Sequence, residues 1–351
     1  MNFEISVLFR AIPLIMGAIC LAFGLYILYG APDSNHFVAG HVNIALTAIC
    51  YALFTTAATI IRQLIHRYGE FWRVALPASG YIVSLAAIAY GIALVVSSDA
   101  GEHIVAGHIA IGVGLVAMCV STVATSSTVF TLINVSASRK PEDGPPEGAH
   151  ERTRALLLIA IPVICAIVGF VLTYRLLSRG DEPGYVAGHV VFGLSAICLS
   201  LTALVATIVR QIRNVFTAGE RMLWSWLVVI MGTINILLGI YVLVSNDNAY
   251  RLAPGIVLIG LGLICFSILS KALLLALVWR RSFPLANRIP LLPILTALTC
   301  LFTAAFLFEA TDANAGYFVP SRVMVGLGAV CFTLFSIVSI LEAGTSGSGS
   351  S

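Results

Sequence analysis

Ten separate apolar runs, each about 20 residues or longer, leave this chain one solvent in which to fold. They fall at 8–30, 37–65, 73–97, 104–134, 155–178, 185–212, 222–245, 252–279, 289–311 and 318–342. About 20 apolar residues in helical form cross a hydrocarbon core of roughly 30 Å, and a helix satisfies its own backbone polar groups where no water can. The predicted fold is an all-α polytopic membrane protein with ten transmembrane helices. Composition agrees: 59% of the 351 residues are hydrophobic and 10% charged, against roughly a quarter charged in soluble domains. The lipid bilayer is the expected partner, and nothing points to nucleic acid.

Charge placement predicts orientation. The loops that join even to odd runs, with Arg10 at the entry to the first, carry fourteen of the 19 basic residues, among them Arg62, Arg73, Arg139, Lys140, Arg210 and Arg288. Basic residues are retained on the cytoplasmic side, so both termini are expected there. The start Met1 to Arg10 carries Glu4 and Arg10 and no small-residue cleavage site, so the first run is read as an uncleaved helix. The tail 345–351, Thr-Ser-Gly-Ser-Gly-Ser-Ser, reads as an appended linker.

The strongest internal signal is a repeat. Val-Ala-Gly-His occurs at 38–41, 105–108 and 186–189, each time after a polar loop and before an apolar run. A cysteine nine residues past the histidine (Cys50, Cys198) aligns two further copies, before Cys265 and Cys331, with Ile256 and Arg322 in the histidine's place; the second copy has Ala117 there. The spacings between successive positions are 67, 81, 67 and 66, the long one containing the polar loop 136–151. Seventeen residues before the histidine position stand Gly24, Gly91, Leu172, Gly239 and Ala305, mostly small residues of the kind that let membrane helices approach closely. The unit is thus a helical hairpin, repeated five times in one orientation over about 7–66, 72–134, 153–213, 221–280 and 288–343, within a single membrane domain 1–344. The loop 136–151 is a cytoplasmic insertion. Two-helix units cannot invert between copies, so the inverted repeats of rocking transporters are not predicted. A pseudo-fivefold ring around a central axis is the simplest closed arrangement.

Pro254 and Pro320 mark first helical turns, and alignment places the motif in first turns everywhere. His41, His108 and His189, with Ile256 and Arg322, become the candidate outer ring: three titratable groups near unpaired helix amides and one fixed charge. The outer-loop acids Asp33, Asp99, Asp181, Asp247 and Asp312 stand beside it. Gly40, Gly107, Gly188 and Gly255, together with Gly24, Gly91 and Gly239, are candidate packing positions, a structural role the motif could equally serve. Lys271, inside the eighth run, reads as the most costly buried charge in the chain, though it lies toward the inner end, where it can snorkel. His36 and His103 read as solvated loop residues, and Glu309 as a candidate partner for Arg322. The hydroxyl-rich faces at Thr55, Thr56, Thr59 and at Ser121, Thr122, Thr125 to Ser127 either line a lumen or bond back to helix carbonyls. All eight cysteines lie in apolar runs with no Cys-x-x-Cys pair, and no nucleophile elbow, phosphate loop or zincin motif occurs. No cofactor, metal or catalytic residue is expected, and the chain is not expected to be an enzyme.

The Val-Ala-Gly-His copies, the run Arg251-Leu252-Ala253-Pro254-Gly255-Ile256, the stretches 276–281 and 285–290, and the ending 325–344 together resemble the YhiM family of enterobacterial inner-membrane proteins, a family of unknown function. The resemblance covers nearly the whole chain. It implies an inner-membrane location and a loose link to growth in acid, and it implies no catalytic residues. The expected function is an inner-membrane channel or transporter for a small solute or ion, gated by pH. A non-transporting sensor or scaffold for the acid response is the alternative, and a membrane enzyme or a metal- or haem-binding protein the third reading.

Overall fold

The computed structural model describes residues 3–64, 69–129, 149–212, 217–245, 249–277 and 291–346. Among them every regular element is helical. The ten long helices are α1 (Phe3–Gly30), α2 (Ser34–Leu64), α3 (Glu70–Ser97), α4 (Gly101–Val129), α5 (Ala149–Leu177), α6 (Glu182–Ile212), α7 (Ala218–Val244), α8 (Leu252–Leu277), α9 (Leu291–Ala310) and α10 (Phe318–Ser346). Each contains a stretch long and apolar enough to cross a membrane. Asp247, most of the loop 136–151 and residues 347–351 of the tail lie outside the described residues.

Burial divides the helices into two sets. The spans of α2, α4, α6, α8 and α10 are 72–89% buried, whereas those of α1, α3, α5, α7 and α9 are 17–33% buried. The contacts give the reason. α2 packs on α4, α4 on α6, α6 on α8, α8 on α10, and α10 back on α2, so the cycle closes. Each odd helix lies outside, against its own even partner and the even helix before it: α3 on α4 and α2, α1 on α2 and α10. The inner helices therefore meet only protein, while the outer set turns Leu25, Ile82, Leu157, Leu237 and Phe302 outward, as hydrocarbon solvent requires.

Within a hairpin the crossing is made at paired glycines. A methyl added at Gly91 would lie 2.7 Å from the Ile111 amide nitrogen, and one at Gly107 would lie 2.8 Å from the Gly91 carbonyl. Gly24 with Gly40 and Gly239 with Gly255 repeat the arrangement. Gly188 differs: its neighbours are the Leu176 and Leu177 side chains, because Leu172 occupies the place of the partner glycine. Polar side chains tie neighbouring inner helices together. Gln63 donates to the Ser127 carbonyl (2.6 Å), and Asn43 to the Arg322 carbonyl (3.3 Å). Most buried hydroxyls, including Thr55, Ser121, Ser126 and Ser127, donate to carbonyls three or four residues back in their own helix, which decides between the two roles expected of those faces.

The inner helices begin earlier than the motif. Ser34, Gly101 and Glu182 open α2, α4 and α6, so His41, His108 and His189 are each the eighth residue and lie two turns in, not one. The first turn is built by polar residues that an apolar-run reading assigns to loops. Asp33 caps α2, its Oδ1 accepting the His36 amide (2.9 Å), and Asp181 caps α6 through the Gly184 amide (3.0 Å). Before α8 and α10 a 3-10 turn replaces that extra turn, at Ala249–Arg251 and Ala315–Tyr317, and Pro254 and Pro320 do stand in first turns. Asp99 and Asp312 are exposed, and Asn314 caps the second 3-10 turn, its Oδ1 accepting the Gly316 amide (2.8 Å).

The Asp33 cap gives a pH-dependent expectation. The His36 amide hydrogen bond, with the His36 ring beside it, holds the Asp33 carboxyl below its ordinary range. A lowered folded-state value means that the stabilisation is present above the unfolded value and is lost as pH falls through the folded one. Asp33→Ala is expected to cost about 1 kcal/mol at neutral pH, and the difference from wild type should vanish below the carboxylate range. Thermal unfolding midpoints of both proteins from neutral pH to pH 3 check this; a constant difference would contradict it.

Candidate functional site

The closed cycle of inner helices places equivalent residues around one axis. Counting from the histidine position, the residues three before it are Val38, Val105, Val186, Ala253 and Val319, and they form the mouth of an axial column. One residue after it come Val42, Ile109, Val190, Val257 and Val323, and five after it Leu46, Val113, Leu194, Leu261 and Leu327. Deeper still are Ile49, Val116, Ile197, Ile264 and Val330, then Leu53, Val120, Leu201, Ile268 and Leu334. The steps of four and three residues keep one stripe of each helix turned to its neighbours, as in a coiled-coil seam. Fifteen residues of helix make the column about 22 Å long.

Every side chain in the column is apolar. Two voids of about 30 and 20 Å³ lie along it, and Leu46, Leu194, Leu261 and Leu327 border both. Roughly 10–15 Å³ suffices for one water, but a site without polar partners stays dry. The axis is therefore a sealed hydrophobic constriction with no polar path through these five layers.

The histidine ring read from the motif is not on this axis. His41, His108 and His189 are half-buried one residue before a lining position, about 100° around the helix. His108 and His189 each donate from Nδ1 to the carbonyl four residues back, those of Ile104 and Tyr185 (both 2.8 Å). His41 pairs its Nδ1 with the Tyr90 hydroxyl on α3, joining the first hairpin to the second. Ile256 is buried. Arg322 stacks over Phe318 (3.7 Å) and Phe308 (4.2 Å) and donates to Ser321 Oγ (2.9 Å). Among the described residues Arg322 makes no ion pair, so Glu309 is not its partner; the aromatic faces and hydroxyls account for an arginine at this position.

Around the mouth, successive hairpins meet through a stacking rule that the motif conceals. The residue four before the histidine position packs on the residue five before it in the next hairpin. Phe37 meets His103 (ring centroids 4.4 Å), Tyr185 meets Arg251 (5.1 Å), and Phe318 meets His36 (4.3 Å), closing the fifth hairpin onto the first. His36 and His103 are thus helical residues in hairpin seams and not solvated loop residues. His36 also donates to Asp33 Oδ2 (2.8 Å), and His103 Nδ1 lies 3.0 Å from Ser97 Oγ. Asp181 holds Arg179 (2.9 Å); the arginine beside it, first of all by hydrogen bonding, keeps the Asp181 carboxyl below its ordinary range.

At the opposite end Arg210 pairs with Glu220 (2.5 Å), and Arg62 lies over Trp72 (4.1 Å). Lys271 is 3% exposed and belongs to the inner set. No group of three or more His, Cys, Asp or Glu residues able to hold a metal ion occurs among the described residues. The eight cysteines are free and buried.

Sequence reasoning missed the lining itself. The signal was present as apolar residues at five equal offsets in all five copies, but helices apolar on every side do not show which stripe faces inward.

Residues 1–346 match the model of a family described as protein of unknown function (DUF2776). The chain is 54% identical over 347 residues to a protein of Escherichia coli (strain K12) named inner membrane protein YhiM, an alignment that covers 98% of this chain and 99% of that one. The resemblance read from the motifs is therefore shown over almost the full length. No solved structure matches the chain significantly.

Proposed function

We propose that this chain, which belongs to the DUF2776 family and is an inner-membrane protein, is a channel for a small ion or solute whose path is the axis of the five inner helices and whose resting state is closed. The column carries the reading: five hairpins each contribute the same register of residues to one axis, and rings of equivalent positions are how channels build gates. A dry constriction of Val, Ile and Leu excludes ions because there is nothing to replace their hydration. It opens when the helices separate enough for water to enter. The basic bias of the loops supports termini on the cytoplasmic side, which puts the stacked seams on the periplasmic face.

Gating by protonation enters at those seams. His36 stacks on Phe318 and His103 on Phe37 at these seams, and a positive charge on either imidazole would be drawn to the ring face and hold the mouth together. Flux through the purified protein in liposomes is expected to differ between mildly acidic and neutral pH, and His36→Phe with His103→Phe should flatten the profile. An unchanged profile in the double variant would remove the seams from the gate.

The same sealed column favours a second reading, a non-conducting sensor or scaffold for the acid response. The two separate on one variant. Leu194→Asn puts an amide at the level shared by the two voids, and a channel should then leak without a stimulus. A folded variant with no flux would sink the channel and leave the scaffold.

A further inference from the structure

The helix register points to a bound anion at the inner end of the column, and we propose that Lys271 is the group that holds it and gives the path anion selectivity. This rests in part on the axis being the path. Lys271 follows the lowest lining residue of α8, Ile268, by three positions, and Ile264 by seven, which returns it to within about 20° of the lining stripe. The same register brings Thr56, Val123, Leu204 and Ile337 to its level, and all of them are buried. One charged group and one hydroxyl thus close the base of an otherwise apolar column.

The lysine has no side-chain partner among the described residues. Among the described residues it makes no ion pair and no hydrogen bond, although it is 3% exposed. Nearby charge is already used: on the helices packed against α8, Glu220 is held by Arg210 (2.5 Å), and Glu309 and Arg322 stand at the motif end. An isolated ammonium at membrane depth is costly, and such residues mark ion pathways. A small anion entering from the cytoplasmic end would supply the missing countercharge where the low dielectric strengthens the attraction. The Thr56 hydroxyl, which now donates to the Ala52 carbonyl (3.1 Å), is the group at that level able to turn and donate. By register the ammonium stands on the inward side of α8, so the ligand class is a free small anion, such as chloride or a short carboxylate, and not a lipid headgroup.

Two measurements on the full chain test the site. The first is thermal unfolding of the purified protein as chloride replaces gluconate at constant ionic strength. A ligand of the native state alone raises its midpoint, so the midpoint should rise for wild type and Lys271→Arg and stay constant for Lys271→Gln. A chloride-independent wild type, or an equal response in Lys271→Gln, overturns the anion site whether or not the protein conducts. The second is the chloride-to-potassium permeability ratio of the Leu194→Asn protein in liposomes. It should fall at least ~10-fold when Lys271→Gln is added, a change of about 1.4 kcal/mol in relative barrier. An unchanged ratio overturns the selectivity role. A chloride-dependent midpoint with no flux in any variant overturns the channel and supports the anion site alone.

Discussion

Leu194→Asn is expected to turn a sealed protein into a leaking one. Leu194 is 2% exposed and borders both axial voids, so the new amide finds no partner in the closed column except water. An unpaired buried amide is unfavourable by roughly 1–3 kcal/mol on protein scales, and letting water into the adjoining voids relieves it. Hydration at one level shortens the dry segment from both sides. If the barrier to a permeating ion falls by as little as about 2.7 kcal/mol, flux rises roughly 100-fold. Fluorescent-dye or ion-efflux assays in liposomes read this directly. Leu261→Asn, at the same level one inner helix away, should act alike, whereas Leu237→Asn on the exposed face of α7 should not. Equal leakage from all three would mean general damage and not an opened axis.

Gly91→Val is expected to unfold the second hairpin. The first atom of the new side chain would come 2.7 Å from the Ile111 amide nitrogen. Backbone atoms cannot swing aside as a side-chain tip can, so α3 and α4 must separate along the whole crossing. Overpacking of this kind costs roughly 1–3 kcal/mol and more where backbone must move, a large share of the stability of an ordinary domain. The thermal midpoint should drop sharply, and yield with it. Gly219→Ala is the control: no atom lies within 4 Å of the added methyl, and alanine is the better helix former by up to about 1 kcal/mol. A Gly91→Val protein as stable as wild type would mean that the glycine pair does not set the crossing distance.

Much of this architecture was legible in the sequence because its causes are local. Ten apolar runs fix ten helices, since hydrocarbon leaves the backbone no other way to satisfy its hydrogen bonds. Glycine against glycine at a 16-residue separation across a hairpin signals close approach by size alone, and three of the five hairpins use it. Helix beginnings were less legible. Asp33 and Asp181 belong to the turn that precedes each motif, but polar capping residues interrupt an apolar run and are easily assigned to the loop. Reading the motif as a helix start carried its histidines one turn too close to the end.

The sequence by itself determined five hairpins in one direction, the register between them, and the basic bias of one side. Only the tertiary structure decided which stripe of each inner helix meets the axis. A soluble helix shows its buried face because the other face is polar; here lipid-facing, neighbour-facing and axis-facing stripes are all apolar, and the contrast that would tell them apart is missing. Closing five hairpins into a cycle supplies the contrast geometrically. It puts valine, isoleucine and leucine on the axis and sends the motif histidines to helix carbonyls and the Tyr90 hydroxyl. It also stacks His36 and His103 into the seams and encloses Lys271 beneath a column that offers it no countercharge.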